Sequence, residues 1–457
     1  MVLGQRFAAF IEQSPVSVMI RGTLERVFDP AVLERVFADH AVLQYTKELT
    51  FAQCVHIMSD VVFRVSPSVG AWYASHPTSV PVTRQAVYDK LKRLELPISA
   101  ALVRYAAEEL WPCLQGLEVP PPALLPGYRV RVLDGNHLAG TERRIGPLRR
   151  YRAAPLPGQA LVFYDPQYDL VTDVIPCEDA YTQERSLLGA ALAKLQARDC
   201  LLGDRSFCTT AFLFGIARRD ACFVIRQHAL ARHYQLLDTP ERAGTDDRGR
   251  AIVEQALSWT DPETGVTLRL RRISLQLLKP TSQGETAIHL LTNLPAADAD
   301  AVQVAELYAD RWTIEKAFQH LTEDLQCEIN TLGYPKAALF GFCVALLAYN
   351  VVSFVTSAVR AVWGRPFVEE ALSMYRLTLE VAQVSTGMMI AVGEEPWQVF
   401  RTMSRSEFAA TMQQLAKRMD PRKYTKQKRG PKKNQPKRIS GKGHTHVSTA
   451  RILALRE

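Results

Sequence analysis

At 457 residues, 47% hydrophobic and 22% charged, the chain is too apolar for a disordered polymer and long enough for two or three domains around a large core. Its eight cysteines are scattered with no C-x-x-C pair, which excludes a zinc ribbon or disulfide framework and predicts a reducing, cytoplasmic setting. The net charge of +8 sits in one place: Lys417 to Lys442 holds twelve Lys/Arg against Asp420 alone, a local +11 that leaves −3 for the rest. Such a segment suits a polyanion, with nucleic acid ahead of an anionic membrane surface.

Residues 1–118 read as short helices, an N-terminal helical domain. Asp29-Pro30 predicts an N-cap with Pro at the first helical position, Thr50 a second cap and Thr83 a third. The third helix, Arg84 to Leu94, carries Arg84, Lys90, Lys92 and Arg93 and reads either as a recognition helix or as a solvated charged face. No secretory leader is expected, because Gln5, Arg6, Glu12 and Gln13 interrupt the first apolar stretch.

Val119 to Gly127 is a Pro-rich linker. Strands follow at Tyr128–Leu133, Gln159–Tyr164 and Leu170–Ile175, then a helix from Thr182 to Arg198 and a strand at Cys200–Leu202. The first strand runs into Asp134 and the fourth into Asp204. Residues 119–220 thus form the first part of an α/β core, and 221–299 a β-rich insertion with a hairpin turn at Asp261-Pro-Glu-Thr-Gly265. Helices resume over 300–415, and 416–457 is a basic tail expected to be disordered. The uncharged run Ala337 to Val359 is long enough to span a bilayer, but Asn350, Ser353, Thr356 and Ser357 point to a buried core helix, so no membrane partner is expected.

The densest chemistry is Tyr308-Ala-Asp-Arg-Trp-Thr-Ile-Glu315 within the helical stretch Ala301 to Leu321. Spacings of three and four place Tyr308, Arg311 and Glu315 on one stripe. Taken singly, each acid has an ordinary reading: Asp134-Gly135 as a turn, Asp204-Arg205 as a local ion pair, Glu315 as a helix acid paired with Arg311. Taken together they require a cause, since two carboxylates 4 Å apart repel by about 4 kcal/mol at an effective dielectric of 20. Hard divalent cations remove that repulsion.

Strand-end Asp134, strand-end Asp204 and helical Glu315 resemble the acid triad of RNase H-like polynucleotidyl transferases, and Y-x2-R-x3-E resembles insertion-sequence transposases of the DDE class. Leu-Leu-Gly-Asp204-Arg-Ser-Phe followed by Phe223-Val-Ile-Arg226, and Ala345-Leu-Leu-Ala-Tyr-Asn350, are similar to the corresponding stretches there. The resemblance covers roughly 125–360 and implies an RNase H-like core with a mixed five-stranded sheet, interrupted by the β-rich insertion. It implies two Mg²⁺ or Mn²⁺ ions on Asp134, Asp204 and Glu315, with Tyr308, Arg311 and Arg205 contacting substrate. It further implies cut-and-paste transposition at terminal inverted repeats of double-stranded DNA, by a homodimer in a synaptic complex, associated with the nucleoid. The alternatives are a metal-dependent nuclease on the same fold and an inactive or domesticated DNA-binding copy. Two positions depart from the pattern. Thr322 stands where the family has Lys, and Asn136 follows Asp-Gly where Thr or Ser is common.

Overall fold

In a computed structural model, residues 3–151, 154–228, 234–280, 284–427 and 447–455 are described. Among the described residues ten strands form one sheet: β1 Arg129–His137, β2 Gln159–Asp165, β3 Leu170–Cys177, β4 Asp199–Gly203, β5 Cys222–Arg226, β6 Tyr234–Leu236, β7 Glu241–Thr245, β8 Ala251–Thr260, β9 Thr267–Gln276 and β10 Ala287–Thr292. Their order is β3-β2-β1-β4-β5-β10-β9-β8-β6, with β7 also on β8. β1, β2 and β3 form an antiparallel meander, while β4 and β5 run parallel to β1. That five-strand order, 3-2-1-4-5, is RNase H-like, as expected.

The pleat assigns side chains to faces. On β1, Val130 and Val132 join the larger core, and Leu133 joins a smaller one with Leu161, Phe163, Leu201, Phe223 and Ile225. The helix Leu96–Gln115 packs against β3 and against the long helix Pro335–Trp363 on the larger-core side. The helices Leu188–Leu192 and Thr210–Ala217 cover the other side. Alternation therefore aims Asp134 at the larger-core face and Gly135 at the opposite one.

Pro335–Trp363 is the one described helix long and apolar enough to cross a membrane, and its most apolar window is wholly buried, as a core helix should be. Its polar interruptions have partners. Asn350 bridges the Val171 N–H and C=O at 2.8 Å each, Ser353 donates to the Asp169 carbonyl, and the Tyr349 hydroxyl donates to the Asp169 carboxylate.

The caps fall where the residues place them. Asp29 accepts from the Ala31 and Val32 N–H groups, Thr50 forms a capping box with Gln53, and Thr83 accepts from Ala86. The N-terminal helices share a single core with the later ones: Pro15–Val27 packs on Met374–Val392 and Arg405–Arg418, and Phe7 meets Trp397 edge-on at 4.8 Å.

Several expectations change. Cys222–Arg226, grouped with the insertion from the sequence, is the fifth core strand, and β10 and β9 extend the same sheet outward from it. The boundary at 221 is therefore not a break in the sheet. The helix expected over 182–198 contracts to a 3-10 turn at Glu184–Leu187 and Leu188–Leu192. Asp199 ends it by accepting from the Gln196 N–H at 2.9 Å, and Arg198 closes the turn at φ 66. On the candidate recognition helix, Lys90 lies 4.4 Å over Phe37 and Lys92 pairs with Asp89, so half of its cations serve internal contacts. The tail is ordered at both ends: Tyr424 is buried, and Val447 to Leu455 includes a helix at Thr449–Ala454. Lys428 to His446, the centre of the expected disordered tail, lies outside the described residues.

Candidate active site

Asp134 sits late in β1, and Asp204 directly follows β4. The two strands are parallel neighbours with Leu133 opposite Gly203, so the two carboxylates emerge side by side at the same sheet end. Asp204 also caps the turn Arg205–Phe207 through the Ser206 N–H. Glu315 arrives on the helix Thr313–Glu323.

The stripe of Tyr308, Arg311 and Glu315 does not lie on one continuous helix. Ala301–Ala309 gives way to a 3-10 turn at Asp310–Trp312 before the next helix begins. The turn drives Arg311 inward to 7% exposure. Its Nη1 lies 3.6 Å from Asp134 Oδ2 and its Nη2 3.2 Å from Glu315 Oε1. The guanidinium also lies 5.8 Å from the Tyr308 ring centre and 4.7 Å from that of exposed Trp312. Tyr308 is itself buried.

Burial raises the Asp134 pKa from its ordinary 3.8 to about 6, opposed by Arg311 and the Gly135 N–H and reinforced by Asp204 and Glu184. Burial works against the Arg311 charge, but Tyr308, Asp134, Glu315 and Asp204 outweigh it and raise its pKa. Burial lifts the Tyr308 hydroxyl to about 12, so it is a neutral donor at physiological pH.

The sequence reading missed Glu184. A Cβ built on Gly135 would lie 2.0 Å from Glu184 Oε1, so this carboxylate packs against the backbone that follows Asp134. Burial raises its pKa; His137 opposes this, Asp204 adds to it, and a Ser206 hydrogen bond opposes it. Glu184 thus packs on the face of β1 opposite Asp134, and its charge bears on both Asp134 and Asp204. The one signal available was Gly135 itself, a glycine inside a strand.

Arg205 lies 3.9 Å from Glu285, which also pairs with Arg226 at 2.5 Å, so it faces the β5–β10 arm. Thr322 is exposed and its hydroxyl donates to the Phe318 carbonyl at 2.9 Å. Arg64 reaches the neighbouring Glu323 carbonyl at 3.0 Å and places a cation next to that position.

The donor set is all carboxylate oxygen, which fits a hard divalent cation, and the Gly135 cradle leaves room for a further carboxylate at its edge. As the side chains stand, no three His, Cys, Asp or Glu among the described residues are grouped closely enough to hold an ion. Arg311 occupies that role between Asp134 and Glu315, as their counter-charge.

Residues 126–351 match the family model described as "Transposase DDE domain"; domains of this family use divalent metal ions. A solved structure, "Cryo-EM structure of piggyBac transposase synaptic complex with hairpin DNA (SNHP)", is similar at 11% identity and a TM-score of 0.40, covering 88% of this chain and 86% of that one. No curated protein matches. The match places a DDE-type transposase domain at 126–351, the stretch that carries Asp134, Asp204 and Glu315.

Proposed function

We propose that this chain is a transposase that binds the terminal inverted repeats of an insertion sequence and catalyses phosphodiester hydrolysis and strand transfer in cut-and-paste transposition. The observation that carries this reading is the convergence of Asp134 and Asp204 on adjacent parallel strands with Glu315, joined through Arg311. Asp134, Asp204 and Glu315 would hold two Mg²⁺ or Mn²⁺ ions, with Glu184 at the margin. When bound, such ions supply Lewis acidity toward phosphoryl oxygens and offset charge on the attacking and leaving groups.

The chain's own residues do the rest. Where an ion took over as counter-charge, Arg311 would keep its forked donors beside the acids and could clamp a phosphate. Tyr308 keeps its proton and can donate to the same group. Arg205 lies toward the β-rich arm and would contact DNA from that side. The partner would be double-stranded DNA, held by a homodimer in a synaptic complex, in the cytoplasm on the nucleoid.

The test is cleavage of a labelled duplex carrying the element's end, with Mg²⁺ or Mn²⁺, by wild type and Glu315→Gln. Metal-dependent cleavage lost in the variant while binding persists supports the reading. Equal cleavage by both removes Glu315 from the site. Binding without cleavage by wild type favours a DNA-binding protein without catalysis.

A further inference from the structure

We infer that residues 139–151, in the connection from β1 to β2, are a duplex-DNA docking surface, with Arg143, Arg144, Arg149 and Arg150 as contacts to the phosphate backbone. This rests on the transposase reading above. The loop leaves the same strand end that presents Asp134, so it lies at the catalytic end of the sheet.

Four of the eight residues from 143 to 150 are arginine, and all four are exposed. Glu142 is the loop's single acid, and it pairs with Arg144 at 2.5 Å. Arg143 donates to the Tyr151 carbonyl at 2.7 Å, which leaves its charge uncompensated. Arg149 and Arg150 have no acidic partner among the described residues.

A solvated charged loop would ordinarily relax to spread such charge. This one is fixed on both sides. The Ala139 N–H donates to Glu328 at 3.0 Å, the Glu142 N–H to the Asn330 carbonyl at 2.8 Å, and the Thr141 N–H to the Pro155 carbonyl at 3.0 Å. Leu148 is fully buried beneath the turn Gly146–Arg150.

A second, independent feature braces the same place. The C-terminal segment returns here: the Leu156 N–H donates to the Val447 carbonyl at 3.0 Å, and the Thr449 N–H to the Leu156 carbonyl at 3.1 Å. The helix Thr449–Ala454 packs on Gly146–Arg150 and brings exposed Arg451, which pairs with Asp179 at 2.8 Å. Three guanidiniums without an acidic partner among the described residues, Arg143, Arg149 and Arg150, held on a braced turn are explained by a polyanion that neutralises them, and the arginine fork matches phosphate oxygens in pairs.

The test is equilibrium binding of a fluorescent duplex carrying the element's end, with EDTA present so that no strand is cut. The full chain, Arg149→Ala/Arg150→Ala and Arg149→Lys/Arg150→Lys are compared between about 50 and 200 mM salt. Each phosphate contact adds about 0.9 to the slope of log affinity against log salt, so the alanine pair should lower the slope by about 2 and the affinity about tenfold. The lysine pair should keep most of the slope.

Unchanged affinity and slope in the alanine pair overturns the docking surface. A loss of affinity with an unchanged slope, or one matched by a fall in melting temperature, also overturns it, because that pattern marks a structural role. Failure of the wild-type chain to bind DNA would sink the transposase reading itself. Loss confined to binding of anionic vesicles would assign the surface to a membrane and reject the proposal.

Discussion

Arg311 Nη1 lies 3.6 Å from Asp134 Oδ2, which ties the helix carrying the third acid to the strand carrying the first. The same guanidinium reaches Glu315, so a single buried cation holds two of the three acids in register. Two like charges so held would otherwise repel, and one positive group stands where a divalent ion would serve the same electrostatic purpose.

Arg311→Ala should therefore destabilise the chain by about 1–3 kcal/mol, at the low end for breaking a buried pair because Glu315 is half exposed. Mn²⁺ should then raise the melting temperature of the variant more than that of wild type, as it takes over the lost counter-charge. Calorimetric melting with and without Mn²⁺ measures both. Equal Mn²⁺ shifts would show that Arg311 and metal do not compete.

The Asp134 carboxyl gives a pH signature. Its folded pKa, about 6, lies above its ordinary 3.8, so the folded state binds the proton more tightly than the unfolded state. The Asp134 contribution to stability is then greatest below pH 4, falls as pH rises from about 4 to about 6, and stays level beyond. At about 1.4 kcal/mol per pH unit the cost at neutral pH is about 3 kcal/mol. Asp134→Asn should be more stable than wild type at pH 7, with the gain fading below about pH 4. Metal affinity of the wild type should rise up to tenfold per pH unit below about 6 and level off above it, since the carboxylate must lose its proton. Urea melts and metal titrations across pH 4–8 check this; a pH-independent difference between the two proteins would reject the assignment.

Gly135→Ala should displace Glu184 rather than unfold the chain. The new Cβ would meet the far end of a flexible side chain at 2.0 Å, not backbone. A stability loss of about 1–3 kcal/mol is expected for such overpacking. Glu184→Ala should cancel most of it in the double variant. A four-way cycle of urea midpoints measures the coupling, and strict additivity would show that the two residues do not meet.

Asn350 sets a comparable test for the core. β3 is the edge of the sheet, and its outward-facing Val171 N–H and C=O are both satisfied by the Asn350 amide. Asn350→Leu keeps the heavy-atom count and branching and leaves both backbone groups unpaired inside the protein. A loss of about 2–4 kcal/mol is expected from thermal unfolding. A loss near zero would mean that water reaches this edge.

Much of this was legible from local signals. The caps at Asp29, Thr50 and Thr83 depend on side chains that bond their own backbone two or three residues on. The hairpin at Asp261–Gly265 follows from Asp261 accepting from Glu263 and Thr264 and from Gly265 at φ 71. Asp134 and Asp204 could be placed at strand ends from the apolar runs before them. Glu184 could not be found this way, because its partners are fifty residues back and twenty ahead, and nothing within its own short turn marks it.

The sequence by itself determined the core strands, the caps and the buried long helix, because periodicity and capping act over a few residues of chain. Only the tertiary structure decided that Cys222–Arg226 closes the core sheet, that the Tyr308–Glu315 stretch breaks at Asp310 to turn Arg311 inward, and that Glu184 packs against Gly135. Those outcomes depend on which strand pairs with which, and on the face to which the pleat directs each side chain. Both are fixed when distant segments pack together, and neither is written in the spacing of any one of them.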